Sequence, residues 1–216
     1  TAATTTNSST WVGSSTLGIT GNAVINGAIS GITSLSISGT TSLGANVTTT
    51  AVGGQTYSGA VTITGSAVTL NASSTGVVLF SSTVNSAANA ANPLTVTSTS
   101  GNVTFTGVVG GGTNGALGAL TVNTTGTTTF SAAVTAASVT TNAGGTTAIN
   151  GGTITTTGAQ TYNDAVTLGA ATTLTSSGSG NINLASTVNG AQTLTINTAG
   201  TTTFGGIVGG TTALTS

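Results

Sequence analysis

The chain has 216 residues and carries almost no charge: it contains no Lys, Arg or His and one acidic residue, so its formal net charge is −1. Because it has no cation to neutralise phosphates, nucleic acid and anionic membrane surfaces are poor partners. Because it lacks His, Cys and any pair of carboxylates, it lacks the titrating groups of general acid–base and nucleophilic catalysis. We therefore predict that the chain is not an enzyme.

The remaining composition favours many short strands. Val, Ile and Leu fall at spaced positions, Thr is abundant, and its branched Cβ suits a pleated surface. The 34 Gly residues and the single Pro are typical of strands separated by tight turns. No apolar run reaches the roughly 18 to 20 residues of a membrane-spanning helix, so we expect no transmembrane segment.

Residues 1–16 precede the first clear repeat. We expect them to form an N-terminal cap or a strand exchanged with a neighbouring copy, with TAATTT at residues 1–6 as the exchanging stretch and Trp11 covering the open end. Since the chain begins with Thr1 and not Met, we expect a processed product or a piece of a longer chain, which fits export.

Residues 17–119 are predicted to form irregular coils. Each unit begins with an aliphatic residue, reaches an aromatic or aliphatic residue later, and has Val or Ile four residues after that. The units are Leu17, Ile25 and Ile29; Leu35, Leu43 and Val47; Tyr57 and Val61; Leu70, Phe80 and Val84; and Leu94, Phe105 and Val109. The glycine-rich stretch 107–115 lacks the Lys and the helix of a phosphate-binding loop and is predicted to be a loop between coils.

Residues 120–216 are predicted to form regular coils. The stretch LTVNTTGTTTFSAAV at 120–134 returns 74 residues later as LTINTAGTTTFGGIV at 194–208. Units start every 20 residues from Ile154 onward, the last at Leu214. The unit positions are Leu120, Phe130 and Val134; Val139 and Ile149; Tyr162 and Val166; Leu174, Leu184 and Val188; and Leu194, Phe204 and Val208.

A period near 20 residues is typical of a solenoid, because each unit must stack on its neighbours to bury its apolar face. We therefore predict that residues 1–216 form one all-β domain, a β-solenoid (β-helix) of about ten to eleven coils of roughly 20 residues, with one unit per coil. The expected interior column contains Phe80, Phe105, Phe130 and Phe204, with Tyr57, Tyr162 and Leu184 in the same slot. The alternative is an antiparallel β-sandwich, in which each unit is a hairpin.

The only carboxylate is Asp164, in the turn Y-N-D-A-V, where an Asx turn explains it better than a metal ligand. A related turn, Y-S-G-A-V at Tyr57, has no acidic residue. We expect no catalytic, cofactor-binding or metal-binding residues and no cofactor.

Two phrases carry a family resemblance: TTGAQTYNDAVTL at 156–168 and LTINTAGTTTFGG at 194–206. They resemble the large bacterial β-strand-repeat surface proteins related to filamentous haemagglutinin adhesins, most strongly over residues 120–216. The resemblance implies a β-helical, secreted protein of the cell surface or extracellular matrix. Family members often carry scattered acidic residues, which are nearly absent here.

These observations predict a non-enzymatic extracellular structural protein, either an adhesin stalk or the subunit of a self-associating surface fibre. Its expected partners are copies of itself, joined end to end or laterally, and a host or matrix surface. Nearly no net charge means no long-range repulsion between copies.

The alternative is an ice-binding Thr-rich solenoid. Thr-x-Thr motifs occur at 62–64, 95–97, 127–129 and 201–203. However, the residues that follow the leading Leu in successive units do not form a clean threonine column; they are Gly18, Ser36, Asn71, Thr95, Thr121, Thr175 and Thr195.

Overall fold

The strand pairs of the protein are parallel, and the partners come from successive passes of the chain. The computed structural model describes residues 3–50, 52–112 and 115–216, and these ranges contain strands and turns but no helix. Parallel partners about 20 residues apart require the chain to wind into stacked coils, so the protein is a β-solenoid of about ten turns. The antiparallel β-sandwich alternative is wrong.

Each turn passes over three faces, called face 1, face 2 and face 3 in chain order. Coils 1 to 5 each contribute three strands: β1 Thr4–Asn7, β2 Trp11–Val12, β3 Leu17–Ile19; β4 Asn22–Ile25, β5 Ile29–Ile32, β6 Leu35–Ile37; β7 Thr41–Leu43, β8 Val47–Thr49, β9 Gln55–Tyr57; β10 Val61–Ile63, β11 Val68–Ala72, β12 Val78–Phe80; β13 Val84–Ser86, β14 Leu94–Ser98, β15 Val103–Phe105.

Coils 6 to 10 are less uniform. Coil 6 has a single bridging residue, Val109, on face 1, and coil 10 has one, Val208, on face 3. The strands of coils 6 to 10 are β16 Leu117–Asn123, β17 Thr127–Phe130; β18 Val134–Thr141, β19 Thr146–Ile149; β20 Thr153–Thr156, β21 Gln160–Tyr162, β22 Ala165–Leu168; β23 Thr172–Ser176, β24 Ile182–Leu184, β25 Val188–Asn189; β26 Leu194–Thr198, β27 Thr202–Phe204.

Strand β18 covers two faces in one continuous strand. Its residues 134–136 pair with β20 on face 1, and residues 139–141 pair with β21 on face 2. The first two faces therefore merge into one sheet at coil 7, whereas face 3 remains a separate sheet of nine strands. At the usual spacing between strands, ten coils give a stack on the order of 45 Å long.

Side chains alternate between the interior and the surface along each strand. In β11, Val68, Leu70 and Ala72 are buried, whereas Thr69 and Asn71 are partly exposed. Buried apolar residues from all three faces form one continuous core along the stack. Thr and Asn therefore cover the surface while Val, Ile, Leu and the aromatic residues fill the interior.

The interior of face 3 contains an aromatic ladder. Tyr57, Phe80, Phe105 and Phe130 are paired in register, and their successive ring centroids are 5.2, 4.9 and 5.5 Å apart. The interplanar angles are 11°, 8° and 17°, so neighbouring rings are stacked. This part of the predicted interior column is confirmed.

The other predicted members of that column lie elsewhere. Tyr162, Leu184 and Phe204 are paired in register on face 2, and their column continues towards coil 1 through Thr141 and Val122. Phe204 is in the last coil, where its side chain is 45 % exposed. The prediction of a single aromatic column is therefore wrong for these three residues.

The cause is a change of phase between the repeat and the coil. Coils 5 and 6 place a loop between face 1 and face 2, but coil 7 crosses this corner within β18 and omits the loop. As a result, the step from Phe130 to Val134 joins face 3 to face 1, whereas the step from Tyr162 to Val166 joins face 2 to face 3. The two 15-residue copies are consequently displaced by one face, and one unit is not always one coil.

Buried Gln side chains support two interior tyrosines. The Tyr57 hydroxyl donates to Gln55 Oε1 at 2.8 Å, and Gln55 Nε2 donates to the carbonyl of Asn71 at 3.0 Å. The Tyr162 hydroxyl donates to Gln160 Oε1 at 2.9 Å in the same way. The phrase G-x-Q-T-Y therefore forms the same buried hydrogen-bonded pair on face 3 and on face 2.

Asn side chains at strand ends and turns bind several coils to the next. In five cases the Asn side-chain oxygen accepts a hydrogen bond of 2.8 to 3.0 Å from a backbone N–H of the following coil. The five residues are Asn22, Asn46, Asn102, Asn181 and Asn189. These bonds satisfy turn amides that the strand ladders leave unpaired.

Candidate functional site

The chain's only carboxylate, on Asp164, faces the preceding coil. Asp164 is 2 % exposed; its Oδ1 accepts a hydrogen bond of 2.8 Å from the Gly145 amide, and its Oδ2 lies 3.3 Å from the Thr147 hydroxyl, which donates. The predicted Asx turn is therefore wrong, because the hydrogen bonds of this carboxylate go to the coil below and not to its own turn. Its role here is to bind coil 8 to coil 7.

Burial raises the pKa of Asp164, and the hydrogen bonds from Gly145 and Thr147 oppose that rise without cancelling it. A raised pKa means that the folded chain binds this proton more tightly than the unfolded chain does. The stabilising effect is fully present below the ordinary carboxyl pKa of about 3.9 and is lost as the pH rises through the folded-state value.

We therefore expect the free energy of unfolding to fall as the pH rises from about 3 towards 7. Asp164→Asn should abolish this dependence. It should also be more stable than the wild type at pH 7, because it removes the buried charge while its amide oxygen can still accept from Gly145. Urea unfolding of both proteins at each pH measures the difference and cancels the contribution of the chain termini. A wild type that gains stability relative to the variant as the pH rises would contradict the assignment.

The described residues place no further acidic side chain and no His or Cys around this carboxylate. Within the described ranges no group of three or more His, Cys, Asp or Glu side chains could hold a metal ion. In the same ranges there is also no helix with the length and apolarity needed to cross a membrane. The features that remain are therefore extended surfaces: the outer faces and the two ends of the stack.

The outer surface of face 2 carries a long row of threonines. Successive strands from β11 to β27 place one outward residue each in register, and six of the seven are Thr. The row is Thr69, Thr95, Thr121, Thr140, Thr161, Asn183 and Thr203. A second row runs beside it through Thr48, Asn71, Thr97 and Asn123.

The repeat pattern of the sequence does not reveal this row, because equivalent positions of the repeats lie on different faces. Thr121 belongs to face 2, but Thr175 and Thr195, which occupy the same place in their repeats, belong to face 1. The Thr-x-Thr motifs are also divided: 62–64 lies on face 1, 95–97 and 201–203 on face 2, and 127–129 on face 3. Only the register between coils reveals the row.

A small groove lies beside face 1, where the loops of coils 5 and 6 pass over coils 7 and 8. Its volume is about 150 Å³, and its lining includes Ala91, Leu117, Ala136 and Thr155. The lining contains no charged side chain. The glycine-rich stretch 107–115 contributes Val109 to face 1, and its residues 113 and 114 lie outside the described ranges.

The N-terminal end is formed by coil 1. Its strands β1, β2 and β3 each pair with coil 2 on one side only. Trp11 pairs with Ile29 on face 2 and is 42 % exposed, and Val12 is 72 % exposed. The first two residues of the TAATTT stretch lie outside the described ranges, and its remaining residues, 3–6, lead into or belong to β1. Trp11 is thus part of coil 1 and leaves the end of the stack open.

The C-terminal end is formed by coil 10. Phe204, Ile207 and Val208 are all strongly exposed, although the coil 9 equivalents of Phe204 and Val208, Leu184 and Val188, are buried. The final residues lie over the corner that precedes β26, where the Thr215 amide donates to the carbonyl of Gln192 at 3.1 Å. This end therefore presents apolar side chains together with free strand edges.

Comparison with known proteins returns no match. No protein-family model, no curated protein and no solved structure is similar to this chain. The features of the molecule that bear on its function are therefore its composition and these surfaces.

Proposed function

We propose that the protein is a non-enzymatic structural protein of the cell exterior: a rod-like β-solenoid that serves as an adhesin stalk or as the subunit of a self-associating surface fibre. The observation that carries this proposal is the pair of open ends, where apolar interior side chains and unpaired parallel strand edges are exposed together. Such edges readily pair with another chain. The occupants that we propose for these ends are other copies of the protein.

Charge supports the same proposal. The chain has one acidic side chain and no basic one, so approaching copies meet almost no electrostatic repulsion. Natural solenoids that remain single usually protect their ends with polar capping repeats. Here neither end of the described stack has such a cover, since Trp11 and Phe204 are both more than two-fifths exposed.

An extracellular or cell-surface location is part of the proposal. A chain without Lys or Arg offers no cleavage site to trypsin-like proteases, which is an advantage outside the cell. The phrases at residues 156–168 and 194–206 resemble those of β-strand-repeat surface proteins related to filamentous haemagglutinin adhesins, and from this resemblance of phrases we propose both this location and an additional contact with a host or matrix surface. Binding of the purified protein to matrix-coated surfaces tests that contact.

Self-association is tested by sedimentation velocity and negative-stain electron microscopy over a range of protein concentrations. We expect rods that lengthen with concentration and a fibre-diffraction reflection near 4.7–4.8 Å along the rod axis. Since there is little charge to screen, the association should change little with salt. Dispersed monomers at every concentration would contradict the fibre proposal.

The threonine row on face 2 favours a second candidate function, ice binding. A flat array of hydroxyl and methyl groups, repeated at the strand spacing of about 4.8 Å, can hold ordered water in a regular pattern. The row extends over seven successive coils and is interrupted only by Asn183. Face 3 is less regular, since its outward column includes Leu79 and Ala148 beside Thr104 and Thr129.

Thermal hysteresis and ice-crystal shaping test this candidate. We expect the double variant Thr121→Leu, Thr140→Leu to lose most of the activity, because it removes two adjacent hydroxyls from the middle of the row. The double variant Thr104→Leu, Thr129→Leu makes the same chemical change at adjacent positions of face 3 and should leave the activity unchanged. A wild type without hysteresis would dismiss ice binding and leave the structural proposal intact.

A further inference from the structure

We propose that copies stack head to tail, with coil 1 of one copy seated on coil 10 of the next in the register that continues all three faces. This inference rests on the proposed function and specifies its interface. In the stacked pair, Trp11 of one copy lies on Phe204 of the other. The two ends are therefore unlike surfaces that complement each other.

The column on face 2 gives the clearest indication. Register partners connect Trp11 in coil 1 with Phe204 in coil 10 without a break, through Ile29, Val47, Leu70, Val96, Val122, Thr141, Tyr162 and Leu184. One more step along this column would place a second copy's Trp11 on Phe204. Both side chains are large, aromatic and more than 40 % exposed in the single chain. Stacking would remove both from water.

The other two faces support the same register. The face 3 column runs from Leu17 to Val208, so these two aliphatic side chains would meet in the stacked pair. The face 1 column runs from Thr5 in β1 to Ile196 in β26. The contact would therefore pair an aromatic residue with an aromatic residue on face 2 and an aliphatic residue with an aliphatic residue on face 3.

The backbone edges also match. Coil 9 binds coil 10 through one strand edge, as in the hydrogen bond of 2.8 Å from the Gly205 amide to the carbonyl of Leu184. The free edge of coil 10 is the equivalent edge one coil later. The edge of coil 1 is equivalent to that of any later coil facing its predecessor. A head-to-tail contact thus continues an interface that the chain already makes nine times between its own ten coils. Residues 212–215 lie over the preceding corner and leave Phe204 and Val208 exposed.

Symmetry separates this arrangement from contacts between like ends. A tail-to-tail contact is isologous, would place the strands antiparallel, and would stop at two copies. A head-to-tail contact is heterologous and continues into an open rod. The two arrangements therefore differ both in size and in whether Trp11 is covered.

The experiment mixes two variants, each blocked at one end. Thr5→Glu places a charge on the head and Val208→Glu places one on the tail; both residues are exposed in the single chain, so the fold should be retained. Burying an unpaired carboxylate in the interface is costly, so we expect each variant alone to remain monomeric. Mixed together, they should form 1:1 dimers through the intact tail of Thr5→Glu and the intact head of Val208→Glu. Thr167→Glu, with the same charge on the side of face 3, should form rods as the wild type does.

Trp11 reports the register, because it is the only tryptophan in the chain. With Trp11→Phe added to the Thr5→Glu partner, dimer formation should shift the remaining Trp11 emission to shorter wavelength, since that residue becomes covered. Three results would each overturn the head-to-tail register and leave the proposed function standing. The wild type could form rods while the mixture stays monomeric, the dimer could show an unshifted emission, or Thr5→Glu could form dimers alone. A wild type that never associates would overturn both.

Discussion

Phe105→Ala is expected to lower the free energy of unfolding by about 3 to 5 kcal/mol, the range for truncating a buried Phe. Phe105 is completely buried and stacks between two other rings, with centroid distances of 4.9 Å to Phe80 and 5.5 Å to Phe130. The truncation removes both ring contacts and leaves a cavity that the rigid coils above and below cannot close. Urea unfolding followed by circular dichroism measures the change.

The matched control is Phe204→Ala, which makes the same chemical change in the last coil. Because Phe204 is 45 % exposed and has no coil stacked on it, the expected loss in the monomer is about 1 kcal/mol or less. Both proteins should be compared below the concentration at which copies associate. Equal losses for the two variants would mean that the ladder contributes nothing beyond ordinary surface packing.

The sequence was sufficient to predict the class of fold and part of the core. The step of about ten residues and then four, repeated from Leu70 to Val134, predicts that Phe80, Phe105 and Phe130 share one column, and the structure confirms it. The prediction succeeds because strand alternation and tight turns are local properties. The solenoid follows from them, since no single unit can bury its own apolar face.

The sequence was not sufficient to predict the phase of the repeat around the coil. Tyr162 matches Tyr57 in its local phrase, yet one lies on face 2 and the other on face 3. The difference arises in β18, where the chain turns a corner without a loop. Each coil has three similar corners, one between each pair of faces, and a short turn fits any of them. Which corner a given turn occupies therefore depends on the summed loop lengths of several preceding coils.

The surface features could not be predicted from the sequence for the same reason, because they depend on the register between coils. The threonine row on face 2 appears only when its members are aligned by strand pairing, because Thr161 occupies a different place in its repeat from Thr121 and Thr140. The contact of Asp164 with Gly145 is also a contact between coils, 19 residues apart. Residues that meet through stacking are distant in sequence and carry no local pattern.

Gly54→Ala tests how closely coils 3 and 4 are stacked. Gly54 lies just before β9, and a Cβ at this position would lie 1.8 Å from the carbonyl oxygen of Val77 in the next coil, a distance that no packed atoms tolerate. The same carbonyl accepts a hydrogen bond of 2.8 Å from the Gln55 amide, so it cannot move without breaking the ladder. We expect a loss of about 3 kcal/mol, the upper end of the overpacking range.

Gly18→Ala is the matched control, because Gly18 lies in β3 of coil 1 and a Cβ there would have no atom within 4 Å. Replacing a strand glycine with no steric cost should stabilise the chain by about 0.5 to 1 kcal/mol. Since a stack of repeats can open one interface at a time, hydrogen exchange resolves the effect better than a global melt. In Gly54→Ala the amide of Gln55 should lose protection while the amides of coils 8 and 9 keep theirs. Unchanged protection at Gln55 would show that coils 3 and 4 accommodate the added methyl without opening, which would contradict the close packing of Gly54 against Val77.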